Sequence, residues 1–200
     1  MASLKIITRP AALLTTAQAR AQCRIDDTFE NDLLDAYIAA AQSEAERVTG
    51  RAIGATVYRL TLDCFPDIGE PILLPRPPLV SVDAISYIDA AGDAATLDPE
   101  ADIIIDADGE PARLVPLVGN SWPDTQTDRL AAVTITYTAG VDADIDPVVL
   151  QAVRLAVAGW YEHREHVVEG SVSNLPNGFD RLLSMIRFRD RDLTRFLAEH

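Results

Sequence analysis

Cysteine is nearly missing from this 200-residue chain, with only Cys23 and Cys64. Two cysteines are too few for a disulfide framework, and neither belongs to a CxxC pair, which removes the usual zinc and redox signatures. We expect both to be reduced, buried thiols of an intracellular protein. Histidine is also scarce, at three residues. HExxH, GxSxG, Gly-rich phosphate loops and dinucleotide fingerprints are all missing. The expectation is therefore a protein that is not an enzyme, with no catalytic residues and no cofactor. No run reaches the ~18 apolar residues of a membrane span, so no membrane partner is expected. The opening stretch MASLKIITRPAALLTT is broken by Pro10 and does not read as a signal peptide. Positive charge is short as well. Lys and Arg number 17 against 31 Asp and Glu, a net charge of -14. Such acidity argues against tight phosphate binding, which needs clustered Lys and Arg.

What is present is ordinary globular material, 48% hydrophobic and 24% charged. The plainest helix runs from Asp146 to Arg164. Asp146 suits an N-cap and Pro147 the first helical position. Val149, Val153, Ala156 and Trp160 repeat at helical spacing and form a core stripe. Thr15 or Thr16 caps a short helix ending near Arg24. Thr28 opens a second long helix, in which Leu33, Leu34, Tyr37, Ile38, Ala41, Ala45 and Val48 are apolar. Asp35, Gln42, Glu44, Glu46 and Arg47 are assigned to its solvent face. Gly50 ends it as a left-handed C′ residue.

Between Arg51 and Gly140 the pattern changes to short β-branched runs between Pro and Gly. Thr56–Asp63 and Leu79–Ile88 alternate apolar with polar side chains, the period of a half-buried strand. Ile72–Leu74, Ile103–Ile105 and Ala112–Val115 are shorter, and Val133–Tyr137 is the strongest strand. Asp89–Asp93 and Asp108-Gly109 read as turns. The predicted fold is α+β: a mainly helical bundle, with helices near 16–24, 28–49, 147–164 and 179–197. A small antiparallel sheet of about six strands is inserted at about 55–140. We expect one domain over 1–200, with a β-rich insertion at 51–140 and a C-terminal docking tail at 187–200. Trp122 and Trp160 are expected in the core.

Three clusters resemble ligand sites and are better explained otherwise. His163 and His166 stand near Glu162, Glu165 and Glu169, but at the polar end of a helix without a closed ligand set. Asp106-Ala-Asp108-Gly109 has part of a calcium loop, yet Ile104 and Val115 occupy ligand positions. Asp142, Asp144 and Asp146 lack the glycine and the closing Glu, so turn and cap roles fit them. No metal site is expected. The tail departs most from the average composition. Residues 181–200 hold five arginines against three acids, a charge of +2, which leaves -16 on the remainder. Arg and Phe are favoured interface residues. We expect this tail to dock on a neighbour.

Taken in order, several stretches resemble the head–tail connector (adaptor) proteins of long-tailed phages, related prophages and gene transfer agents. They are Arg9-Pro10 with the threonine-started helix at Thr15-Thr16; Leu33–Ile53; Ile72–Gly92; Trp122-Pro123; Val133–Gly140; Pro147–Arg164; and Leu175-Pro176 before a short helix ending in Arg187. The resemblance implies a virion structural protein, made in the host bacterial cytoplasm and placed in the particle neck. It implies a ring of about twelve copies that joins the portal protein to a stopper or tail-completion protein. DNA would pass through the channel without specific binding. On this reading the tail docks on the portal through Arg187, Phe188, Arg189, Arg191, Arg195, Phe196 and Leu197. The alternatives are a stopper-like neck or tail-completion protein, or a small acidic metal-binding or hydrolytic domain. Stoppers are mainly β, which the two long helices oppose.

Overall fold

The computed structural model describes residues 2–140, 142, 145–163, 177–188, 193, 196 and 197. The chain divides into two compact units, each assembled from separated segments. One comprises Met1–Pro10, Ala55–Val141 and Arg189–His200; the other comprises Ala11–Gly54 and Asp142–Phe188.

The first unit carries eight strands: β1 (Ser3–Thr8), β2 (Thr56–Leu62), β3 (Ile72–Leu74), β4 (Leu79–Ile88), β5 (Ala94–Leu97), β6 (Ile103–Asp106), β7 (Ala112–Pro116) and β8 (Val133–Ala139). They form a five-stranded sheet in the order β1-β2-β8-β4-β5 and a three-stranded sheet in the order β3-β7-β6. All pairings are antiparallel. In β2 the residues Tyr58, Leu60 and Leu62 are buried, and in β8 Val133, Ile135 and Tyr137 are buried. This is the two-residue alternation of a sheet with one core face. Tyr58 and Tyr137 lie directly opposite in register and stack at 5.6 Å. The Tyr137 hydroxyl donates to the Pro75 carbonyl at 2.7 Å. Burial, and then Tyr58, push its phenol far above the ordinary tyrosine range.

The second unit holds four helices: α1 (Thr16–Cys23), α2 (Asn31–Thr49), α3 (Pro147–Glu162) and α4 (Asn177–Ser184). Thr15 caps α1 in a reciprocal box with Gln18. Asp146 caps α3 by accepting from the Val148 N–H at 2.8 Å. Gly50 closes α2 at φ 71°. Its left-handed conformation suits glycine, and a Cβ there would stand 3.2 Å from the Phe188 carbonyl oxygen. The core joins Leu34, Ile38, Ala41 and Ala45 of α2 to Val149, Ala152, Val153 and Ala156 of α3, with Phe179 and Leu183 of α4. Alanines on both long helices allow close approach of their backbones.

Several expectations need correction. The fold is not a mainly helical bundle with a small inserted sheet. Among the described residues four helices and eight strands give 31% helix and 28% strand, so the two kinds of structure have nearly equal weight. The opening segment, to which no strand was assigned, is β1, the edge of the larger sheet. The alanine-rich segment after the Asp89 turn is β5. The last helix does not run through 179–197: α4 stops at Ser184, and the Phe188 N–H donates to Thr49 rather than to a preceding turn. Cys64 is exposed and Cys23 half-buried, so neither is the buried thiol expected.

Gln42 and Glu46 are not on a solvent face; they are 6% and 8% exposed. Gln42 Oε1 accepts from the Leu13 N–H at 3.2 Å, and Nε2 lies 3.3 Å from the carbonyls of Ala11 and Ile53. One side chain thus holds the segments before α1 and after α2. Replacing Gln42 by Leu preserves bulk but strips these backbone groups of their partner. The expected loss is about 2–3 kcal/mol, since a buried unsatisfied polar group costs about 1–3 kcal/mol. Urea unfolding monitored by circular dichroism checks it: a wild-type midpoint would mean that water replaces the amide.

Candidate assembly surfaces

At one end of the larger sheet the loops 63–71 and 117–132 meet around an aromatic stack. Trp122 is buried and lies parallel to Phe65 at 5.1 Å, and Phe65 meets Tyr87 edge-on at 5.4 Å. The indole Nε1 donates to the Glu70 carbonyl at 3.1 Å. Asp63 accepts from the Ala131 N–H at 3.0 Å. The same loops carry three apolar side chains in water: Ile68 at 89% exposure, Val118 at 87% and Leu130 at 81%. Each directly precedes a residue with positive φ, namely Gly69 at 88°, Gly119 at 92° and Ala131 at 59°. Left-handed backbone is strained for alanine, and strain of this kind persists only where surrounding contacts enforce it. Large apolar side chains displayed by held loops are characteristic of surfaces that assemble.

A groove of about 350 Å³ is lined by Leu97, Asp102, Ile103, Pro116, Ser121 and Trp122, among others. Asp102 is engaged in the local turn, where its carboxylate accepts from the Asp98 N–H at 2.8 Å. Among the described residues no histidine lines the groove beside Ser121.

The ligand-like clusters lie partly outside the described residues, and of the rest Asp146 takes the capping role expected of it while Asp106 ends β6. Asp106 pairs with Arg113 at 2.6 Å. Asp146 caps α3. His163 is exposed where α3 ends, while His166, Glu165, Glu169 and Asp144 fall outside the described residues. Among the described residues no group of three or more His, Cys, Asp or Glu side chains is placed to hold a metal ion. Among them, too, no helix is long and apolar enough to cross a membrane.

The predicted docking residues are dispersed. Arg187 is exposed. Phe188 is half-buried; its N–H donates to Thr49 at 2.7 Å, and the Arg51 guanidinium lies 6.0 Å from its ring centre. Phe196 is buried, and the Leu197 carbonyl accepts from the Ala2 N–H at 3.4 Å. Arg189, Arg191 and Arg195 lie outside the described residues. The displayed loop residues Ile68, Val118 and Leu130 were missed in the sequence. The signal available was an apolar residue just before a turn-forming glycine.

Residues 14–89 match the family described as "Phage gp6-like head-tail connector protein". The resemblance to head–tail connectors holds. Solved structures extend it over the chain. A chain in "Virion of native gene transfer agent (GTA) particle" is similar at 25% identity and TM-score 0.73, covering 94% of this chain and 96% of that one. A chain in "Neck of empty GTA particle computed with C6 symmetry" gives 26% identity and TM-score 0.72 over the same shares. A third, in "Neck of native GTA particle computed with C12 symmetry", gives 25% and 0.71. No curated protein matches the chain. The family and these neighbours are structural virion proteins.

The stack predicts a stability test. Trp122→Ala removes the partner of Phe65 and the indole hydrogen bond, and is expected to cost about 3–5 kcal/mol as for other buried large aromatics. Chemical denaturation measures this. A loss below about 1 kcal/mol, the net worth of one ordinary hydrogen bond, would show that the loops hold their conformation without the stack.

Proposed function

We propose that this protein is a structural adaptor in the neck of a phage-like particle and has no enzymatic activity. It forms a ring of about twelve copies that joins the portal of the capsid to a stopper or tail-completion protein and lets DNA pass. The observation that carries this reading is the near end-to-end match, 94% of this chain over 96% of a gene-transfer-agent chain. A neighbour from a neck computed with C12 symmetry supports the ring and its copy number. The acidic composition fits DNA passage, because a negative lining repels the phosphates that a positive one would hold. The protein is made in the host bacterial cytoplasm.

Native mass spectrometry of the purified protein, alone and with the portal from the same gene cluster, tests the ring. A species with one fixed number of chains is expected. A persistent monomer indifferent to the portal would transfer support to a stopper-like or tail-completion role.

Portal docking belongs to the tail in this proposal. Arg187, Arg189, Arg191 and Arg195 supply the polar contacts, while Phe188, Phe196 and Leu197 set the tail's position. Replacing the four arginines by Glu is expected to weaken portal binding at least tenfold with the melting temperature unchanged. Deleting 187–200 should remove binding altogether. Wild-type portal affinity in both variants, measured by sedimentation with portal rings, would refute the assignment.

A further inference from the structure

Among the described residues the larger sheet ends at β1, paired with β2, on one side and at β5, paired with β4, on the other, and the two ends differ in charge. On the β1 side stand Lys5 and Arg9, with no acidic residue from position 1 to 10. Lys5 lies directly opposite Arg59 of β2, and both side chains are exposed. Among the described residues neither cation has an ion-pair partner. Like charges directly opposite on adjacent strands are destabilising. A single lysine on an edge strand is a common guard against stray pairing. That guard accounts for Lys5 but not for Arg59 across from it. The pair makes physical sense once an anionic surface is laid against this edge. β1 also exposes Ile6 at 37% and Ile7 at 43%, apolar surface that such a contact would cover.

The opposite edge has that character. No Lys or Arg occurs between Arg76 and Arg113. Within this stretch β5 is bracketed by Asp89 and Asp93 on one side and by Asp98, Glu100 and Asp102 on the other. Asp89, Asp98 and Asp102 are engaged in turns, accepting from the N–H groups of Ala91, Glu100 and Asp98 respectively. Asp93 and Glu100 are exposed, and among the described residues neither carboxylate has a hydrogen-bond partner.

We infer that the basic β1–β2 edge of one copy docks against the acidic β5 edge of the next, and that this is the side-to-side contact of the ring. The inference rests on the adaptor reading above and names the surfaces that close it. A head-to-tail contact between two different edges is heterologous, the kind that generates rings under cyclic symmetry. The occupant of each edge is therefore a second copy of this chain. Complementary charge fixes the order and register of neighbours more than the raw affinity.

The test uses full-length chains, alone and with portal, examined by native mass spectrometry and by ring counting in electron micrographs. Lys5→Glu with Arg59→Glu makes both edges acidic; Asp93→Lys with Glu100→Lys makes both basic. Each variant alone is expected to yield at least tenfold fewer rings than wild type. Mixed one to one, the two variants should restore rings containing equal numbers of each. All four substitutions in one chain should also restore rings. Circular dichroism monitors folding. Should reversed charges unfold the sheet, Lys5→Gln with Arg59→Gln gives a smaller loss in the same direction. Wild-type ring yield from each single-edge variant would overturn the inference and leave the adaptor reading intact. The inference also fails if the variant altered at Lys5 and Arg59 forms normal rings and loses only DNA retention, because the cations would then face DNA. A wild-type chain that forms no ring with or without portal would overturn the adaptor reading itself, and this inference with it.

Discussion

Strand β8 is hydrogen-bonded along both sides, to β2 and to β4, and the organisation of the β unit follows from that double pairing. A central strand must satisfy every backbone group within the sheet, so its register is fixed twice. The alternation of Val133, Ile135 and Tyr137 then decides which face of all five strands is apolar. The outer face of the same strand carries Thr134, Thr136 and Thr138, half-buried β-branched hydroxyl residues. β8 itself carries no charged side chain. Segments distant in sequence, β1 near residue 5 and β5 near residue 95, become opposite ends of one sheet.

The helical unit follows a different rule. Its core joins alanines of α2 and α3 with Leu, Ile and Val side chains and with Phe179 of α4. Such an interface is tight but offers modest apolar area, since burial stabilises by roughly 25 cal/mol per Å². Polar side chains supplement it at the margins. Gln42 binds the loop ends that flank α1 and α2. The Tyr161 hydroxyl bonds the Glu30 carboxylate at the start of α2. Arg51 Nε donates to the Ile186 carbonyl at 2.8 Å beyond α4. Each ties a helix end to another segment, where exposed backbone groups would otherwise need water.

Much of this was legible where the signal is local. Asp146-Pro147 announced α3, Gly50 announced the end of α2, and the β-branched run at Val133 announced β8. What escaped depends on partners far away in sequence. β1 is a strand because β2, some fifty residues later, offers it an edge; by itself SLKIIT before a proline is only extended chain. β5 is Ala94-Ala95-Thr96-Leu97, without the bulky side chains that mark a strand, and its pairing with β4 forms it. Gln42 and Glu46 lie among the charged positions of α2, and only loop segments crossing that face bury them. The missed strands account for the misjudged balance between helix and sheet. The connector resemblance was readable because it rests on the order of local motifs, which distant contacts do not disturb.

The charge distribution also explains how so acidic a chain would join a ring of its own copies. At physiological salt the screening length is about 8 Å, so most of the net charge on one copy is hidden from the bulk of the next. Charges at a contact are closer than that and are felt fully. A net charge of -14 therefore opposes indiscriminate clustering of free chains, whereas in the proposed ring a few well-placed cations would decide how they finally meet. Here the cations are few enough for their positions to matter. Lys5 and Arg59 are placed together on one edge, at some cost to the isolated sheet. The stretch from Pro77 to Ala112 is kept free of bases and holds the other edge acidic. A chain selected only for solubility has no reason to separate its charges in this way across a single sheet. For one that must join copies head to tail, the separation makes the correct neighbour attractive and both wrong pairings, basic on basic and acidic on acidic, repulsive.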